Sequence, residues 1–127
     1  MSPHNPSRLR QEIYRLRKQR DRIENALLQK KRMIRASFLI RYLGTKSAKR
    51  RKPAYYLSSR REGKTILHYV SAKGHQKIRA KADAWGEYVK LVAEWVKLSR
   101  QIEKCFRQLG EAQAVLPGKQ RGGDGQP

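Results

Sequence analysis

The segment between Lys46 and Lys64 concentrates positive charge around two adjacent tyrosines. It contains eight Lys and Arg residues against a single acid, Glu62, and the run 54–57 (Ala-Tyr-Tyr-Leu) lies in its middle. Because like charges repel, cations crowded beside aromatic rings are typical of a surface that meets a polyanion. Lys and Arg neutralise phosphates or contact a guanine edge, and Ser and Tyr contact phosphates or bases. The segment therefore predicts a nucleic-acid-binding surface.

The charge of the whole chain agrees with this prediction. The 127 residues carry a formal net charge of +21, of which residues 1–70 contribute +16 and residues 71–127 contribute +5. A small domain needs a net charge of only about 2–8 to stay soluble. We therefore expect the excess positive charge, most of it in the first half of the chain, to be met by a polyanionic partner.

Residues that could support catalysis or bind a metal are few. The chain has one cysteine, Cys105, so it can form neither an intrachain disulfide nor a cysteine-based zinc site. The three histidines, His4, His68 and His75, have no cysteine or carboxylate at metal-ligand spacing, and no phosphate loop or nucleophile motif is present. We expect a protein that is not an enzyme and needs no cofactor or metal. Cys105 is expected to be a small core residue.

Cysteine usage and hydropathy also predict where the protein resides. A single cysteine suits a reducing compartment, and no apolar run approaches the roughly 20 residues of a membrane span. We expect a cytoplasmic, nucleoid-associated protein without a membrane partner.

Apolar residues at helical spacing predict a first helix over about residues 8–36, with Ser7 as its cap. The seam of this helix consists of Leu9, Ile13, Leu16, Ile23, Leu27 and Ile34. A second helix, over about residues 72–110 with Ser71 as its cap, carries a broader apolar stripe. Trp85 and Trp95 lie within this stripe and are expected to be core residues.

Three runs rich in aromatic and branched residues lie between the helices, at about residues 37–43, 54–60 and 64–70. They predict three antiparallel strands. The predicted fold is α+β and elongated: two long antiparallel helices flank a small three-stranded antiparallel sheet in a single domain over residues 7–116. Residues 1–6 are expected to be a flexible leader and residues 117–127 a disordered tail.

The loop between the second and third strands predicts their register. Arg61-Glu62-Gly63 suits a three-residue hairpin loop in which Gly63 supplies the positive φ. Arg60 then faces Lys64, and one face of the hairpin is polar and basic, with Tyr56 as its exposed ring. The predicted members of that face are Tyr56, Ser58, Arg60, Lys64, Ile66 and His68. The other face would carry Tyr55, Leu57, Leu67 and Tyr69 and pack on the second helix.

Short motifs at residues 35–39, 55–58, 63–65 and 69–70 fall within the stretch from about Arg35 to Trp95. In this combination the chain resembles an uncharacterised bacterial family of short basic proteins often encoded beside transposases, in which a long helix leads to a small sheet and a second long helix. Members of that family usually carry a small cysteine cluster before the double tyrosine, where this chain has residues 44–52 without cysteine. The resemblance implies a mobile-element context rather than an activity.

A second set of motifs, at residues 55–57, 61–64 and 82–85, is similar to the arm-type DNA-binding module of tyrosine recombinases. In that module a three-stranded sheet backed by a helix lays its exposed face in the major groove of DNA. This similarity, over about 35 residues, implies binding to double-stranded DNA.

Three functional classes remain open. The first is an accessory or regulatory protein of a mobile element that binds duplex DNA, and the second is an RNA-binding protein, since charge alone does not separate these ligands. The third is a coiled-coil interaction subunit whose partner is a transposase or recombinase. Leftover apolar surface on the second helix also predicts a homodimer. The candidate nucleic-acid-binding residues are Lys46, Lys49, Arg50, Arg51, Lys52, Tyr56, Arg60, Arg61, Lys64 and His68.

Overall fold

The computed structural model describes residues 5–43 and 52–118, which form two helices and a three-stranded sheet. The elements are α1 (Pro6–Leu27), β1 (Ser37–Leu43), β2 (Lys52–Arg61), β3 (Lys64–Val70) and α2 (His75–Gln113). The sheet is antiparallel in the order β1-β2-β3. The predicted α+β class and the helix-sheet-helix order are confirmed. No helix in the described parts of the chain is both long enough and apolar enough to span a bilayer.

Residue contacts cluster in two compact units. Unit 1 combines the residues up to Ala26 with those from Ala93 onward, and unit 2 consists of Leu27–Val92. The long helix α2 contributes its first half to unit 2 and its second half to unit 1.

Unit 1 is a pair of helix segments closed by an apolar seam. Its core consists of Ile13, Leu16, Leu98 and Ile102, with Ile23, Cys105 and Leu109 packed against it. Arg20 Nη1 donates to Ser99 Oγ at 3.4 Å, and Trp95 Nε1 donates to Glu24 Oε1 at 2.7 Å. Later residues of α1 thus contact earlier residues of α2, so the two segments run antiparallel. Cys105 is a half-buried core neighbour, as expected.

The helix ends differ from the predicted ones. At the start of α1, Asn5 rather than Ser7 is the cap: its Oδ1 accepts a hydrogen bond from the Ser7 amide at 2.9 Å, and Pro6 takes the first helical position. At the other end, α1 stops at Leu27 instead of continuing to about residue 36. Ile34, predicted to lie in the last turn of this helix, is outside it, and its amide donates to the Lys81 carbonyl on α2 at 3.1 Å.

The second helix begins later than predicted, at His75. Gly74 precedes it with a φ of +80°, and its carbonyl accepts a hydrogen bond from the Lys77 amide at 3.2 Å. Ser71 therefore lies outside the helix and does not cap it. The backbone reverses at Gly74, where glycine adopts the left-handed conformation without steric cost.

Unit 2 is built around the sheet, whose hairpin register differs from the predicted one. Arg61 pairs with Lys64, so the loop contains only Glu62 and Gly63. Both loop residues have positive φ, 50° for Glu62 and 78° for Gly63, as a two-residue type I′ turn requires. The predicted three-residue loop, with Arg60 facing Lys64, is therefore wrong. A shift of one residue moves every side chain of β3 to the other face of the sheet.

The register defines two faces. The helix-side face includes Phe38, Tyr55 and Val70, and its rings stack on His75 at the start of α2. We call the opposite side the open face. The side chains of the open face are those of Ser37, Leu39, Arg41, Leu43, Lys52, Ala54, Tyr56, Ser58, Arg60, Thr65, Leu67 and Tyr69.

The turn itself can be tested by substitution. Replacing Glu62 with Asn should stabilise the protein by about 0.5–1 kcal/mol, since Asn relieves part of the roughly 1–2 kcal/mol that left-handed backbone costs other L-residues. The free energy of unfolding in urea measures the effect. Glu62→Gln is the matched control, because it removes the same charge and keeps a side chain unsuited to positive φ. Equal stability of the two variants would contradict the type I′ turn.

Candidate nucleic-acid interface

The open face combines cations, hydroxyls and aromatic rings. No strand contains Asp or Glu, and the open face carries three cations, Arg41, Lys52 and Arg60, all of them exposed. Tyr69 is 70% exposed on this face and Leu67 is 40% exposed. Ala54, directly opposite Arg41, is buried. The face therefore presents positive charge and aromatic surface without a neighbouring carboxylate from the strands.

A small cluster of side chains occupies the middle of the open face. The rings of Tyr56 and Tyr69, which lie opposite each other on β2 and β3, meet edge to face with centroids 5.8 Å apart. The Arg41 guanidinium lies over the Tyr56 ring, 5.6 Å from its centroid. A stacked guanidinium keeps the N–H groups on its edge free for acceptors. We call Arg41, Tyr56 and Tyr69 the open-face cluster.

The helix-side face is closed by an aromatic stack. Tyr55 and His75 are nearly parallel, with centroids 4.0 Å apart, and Phe38 lies 5.7 Å from Tyr55. The His75 Nδ1 atom lies 2.7 Å from the Ala72 carbonyl, to which it donates, and this bond fixes the ring at the start of α2. Arg79 of the next helical turn lies over Phe38 at 5.6 Å. These contacts hold β1 and β2 against α2.

The structure distributes the predicted site residues over three places. Lys46, Lys49, Arg50 and Arg51 lie outside the described residues. Lys52, Tyr56 and Arg60 lie on the open face. Arg61, Lys64 and His68 have the register positions of the helix-side face, so the prediction that Lys64 and His68 share a face with Tyr56 and Arg60 is wrong. The cause is the two-residue turn, which is one residue shorter than the predicted loop.

Two rings, those of Tyr56 and Tyr69, were also assigned incorrectly, whereas Tyr55 packs toward α2 as predicted. Tyr56 is half-buried because Arg41 and Tyr69 pack on it, whereas Tyr69, predicted to point toward the helix, is the more exposed ring. Sequence reasoning missed both Arg41 and Tyr69. Two signals in the sequence could have identified them. Side chains alternate between the two faces along β1, and a residue followed by glycine, as in Glu62-Gly63, suits a two-residue hairpin turn.

A groove opens beside the open face, where β2 extends past β1. β1 begins at Ser37, opposite Ser58, and β2 continues to Arg61 without a described strand on that side. The groove has a volume of about 650 Å³ and is lined by three arginines, Arg35, Arg60 and Arg61. We call it the arginine groove. Its remaining polar and aromatic lining consists of Ser37, Ser58, Ser59, Thr65 and Trp85.

Ion pairs in the described residues leave these cations unpaired. The pairs join Glu12 with Arg15, Glu24 with Arg20, Asp83 with Arg79, Glu87 with Lys90, and Glu103 with Arg107. None of them includes a cation of the open face or of the arginine groove. The Arg15 guanidinium hydrogen-bonds to Glu12 and holds the pKa of that carboxyl below its usual range. Across residues 5–43 and 52–118, no group of His, Cys, Asp and Glu could hold a metal ion.

Comparisons of the chain with models of protein families, with curated proteins and with solved structures found no match. The two resemblances, to the bacterial family encoded beside transposases and to the arm-type module of tyrosine recombinases, stay expectations. The function therefore rests on the geometry of the open face and the arginine groove.

The assignment of the two faces predicts which tyrosine supports the fold. Tyr55→Ala removes the ring stacked between Phe38 and His75 and should lower the free energy of unfolding by about 2 kcal/mol or more. Tyr69→Ala removes an exposed ring and should change it by about 0.5–1 kcal/mol at most. Urea unfolding of the two variants measures this difference. A larger loss for Tyr69→Ala would mean that the faces are reversed.

Proposed function

We propose that this protein binds nucleic acid, with double-stranded DNA as the ligand of the open face. The observation that carries the proposal is the open-face cluster, in which Arg41 is held over Tyr56 beside the exposed Tyr69, on a sheet without acidic residues. Sequence-independent attraction comes from the net charge of +21. The open face supplies groups that can contact base edges.

The dimensions of the sheet favour duplex DNA over duplex RNA. Neighbouring strands lie about 4.8 Å apart, so the backbones of three strands span about 10 Å. The major groove of B-DNA is about 12 Å wide, whereas that of A-form RNA is narrow and deep. A three-stranded sheet therefore matches the DNA groove in width. Side chains of the open face would point toward the base edges.

The arrangement of the rings favours base-edge contacts over stacking of single-stranded bases. A stacking platform needs free ring faces. The Arg41 guanidinium lies over one face of the Tyr56 ring. The Tyr69 ring meets the Tyr56 ring edge to face, at an interplanar angle of 76°, so the two rings do not form one flat platform. The Arg41 guanidinium can instead present two N–H groups to one guanine, the commonest specific contact in the major groove.

Protein partners are a further part of the proposal. In unit 2, Val89 and Val92 of α2 are 47% and 38% exposed, and in unit 1 Phe106 is 52% exposed. Exposed apolar side chains of this kind are what a second copy of the chain, or a transposase or recombinase, would cover. We propose α2 as the site of such contacts.

Binding measurements at several salt concentrations test the proposal. For contact with about five to eight phosphates, log affinity for duplex DNA should fall with log salt at a slope of about −4 to −7. Arg41→Ala should lower the discrimination between a selected and a scrambled duplex by about 1–3 kcal/mol, because it removes a base contact. The variants are compared by fluorescence anisotropy with labelled duplexes.

Arg107→Ala provides the matched control. It removes the same charge from an exposed arginine of unit 1 that is paired with Glu103. It should weaken binding to both duplexes alike and leave their ratio unchanged. A salt slope near zero would contradict the electrostatic mechanism, and equal effects of Arg41→Ala and Arg107→Ala would contradict base contacts by the open face. Tighter binding of structured RNA at every salt concentration would favour the RNA alternative.

A further inference from the structure

The arginine groove is lined by three arginines. Arg35 comes from the segment before β1, and Arg60 and Arg61 come from the end of β2. None of these guanidinium groups has a carboxylate within ion-pair distance among the described residues. Arg60 Nη2 donates to the Gly63 carbonyl at 3.4 Å. Three arginines that line one cavity without carboxylate partners indicate an anion-binding site.

Trp85 holds one of these cations in place. The Arg35 guanidinium lies over the Trp85 ring, 5.7 Å from its centroid, and Tyr88 stacks on Trp85 with centroids 6.1 Å apart. A guanidinium that lies over an aromatic ring is attracted to it and still offers the N–H donors on its edge. Trp85 is therefore a positioning residue for Arg35, which explains why a tryptophan of the apolar stripe lines a polar cavity.

The hydroxyl groups around the cavity complete its donor set. Ser37 and Ser58 are direct neighbours across β1 and β2, and Ser59 and Thr65 lie farther along the hairpin. Guanidinium and hydroxyl groups together are the donors that phosphate oxygens accept. The side chains that line this cavity include no carboxylate and no amide carbonyl, which are the side-chain groups that bind cations.

We propose that the arginine groove binds the terminal phosphate of a nucleic-acid strand, so that the protein recognises DNA ends. The inference rests on the proposed function and names its ligand more closely. An internal phosphodiester carries one negative charge, whereas a terminal phosphate monoester carries about −1.5 to −2 at neutral pH and has three strong acceptor oxygens. Three arginines that line one cavity match the terminal group better in charge and in donors.

The position of the groove supports an end rather than a continuous strand. The cavity lies before the start of β1, where β2 extends past it, at the margin of the open face. A concave site at that margin can receive the strand terminus of a duplex whose groove meets the open face. Arg60 belongs to the open face and also lines the groove, so it connects the two surfaces.

The test uses a blunt DNA hairpin whose single end carries either a 5′-phosphate or a 5′-hydroxyl, with a 3′-phosphate version as a third ligand. The 127-residue chain should bind one of the phosphorylated hairpins about tenfold more tightly than the hydroxyl hairpin at the same salt concentration. Arg35→Ala and Arg61→Ala should each reduce this ratio toward one. Fluorescence anisotropy gives the dissociation constants, and circular dichroism confirms the fold of each variant.

Lys64→Ala is the matched control, since Lys64 is the cross-strand neighbour of Arg61 but does not line the groove. It should weaken binding to all hairpins equally and keep the ratio. If Arg35→Ala fails to fold, Arg61→Ala alone and Arg35→Lys, which keeps the charge but loses the planar fork, still test the site.

Each contrary result has a distinct meaning. A ratio of one for the unmodified protein, with salt-dependent binding retained, would overturn end recognition and leave the proposed function intact. A ratio that persists in the Arg35 and Arg61 variants would overturn the groove as the site. Absence of binding to every hairpin would overturn both proposals.

Discussion

The hairpin register set by Glu62 and Gly63 is the constraint on which the rest of unit 2 depends. Both residues have positive φ, which closes the chain in two residues and pairs Arg61 with Lys64. Because side chains alternate along a strand, this pairing places Tyr69 beside Tyr56 and directs Val70 toward the helix. A loop longer by one residue would bury Tyr69 and expose Val70. The turn therefore decides which side chains meet solvent.

Two surfaces with different chemistry follow from this register. On the helix side, the stacked rings of Phe38, Tyr55 and His75 pack the sheet against α2. The opposite side of the sheet carries polar and aromatic groups. Before the start of β1, the part of β2 that pairs only with β3 lines the arginine groove together with Trp85. The same strand thus contributes to the broad face that we propose contacts DNA and to the concave site that we propose binds a phosphate group. Positive charge without neighbouring carboxylates is common to both.

Local patterns predicted much of the fold and less of the site. Runs of branched and aromatic residues located the three strands, and the apolar seam with Ile13 and Leu16 located the helix pair, because both signals come from burial. α1 ends at Leu27, and the Ile34 amide bonds instead to the distant Lys81 carbonyl, a contact that no local pattern contains. The open-face cluster depends on the positive φ of Glu62, a backbone conformation that glutamate seldom adopts. The arginine groove joins residues from β1, β2, β3, α2 and the segment before β1, so only tertiary structure brings Arg35 to the same cavity as Arg61.

Side-chain NMR during a titration with duplex DNA shows which side of the sheet meets the ligand, since ring signals report on one face of the sheet at a time. We expect the ring protons of Tyr56 and Tyr69 to shift or broaden as DNA is added, while those of Tyr55 and Phe38 stay unchanged at the same DNA ratio. Perturbation centred on Tyr55 and Phe38, with the Tyr69 ring unaffected, would contradict the open face as the surface that contacts DNA.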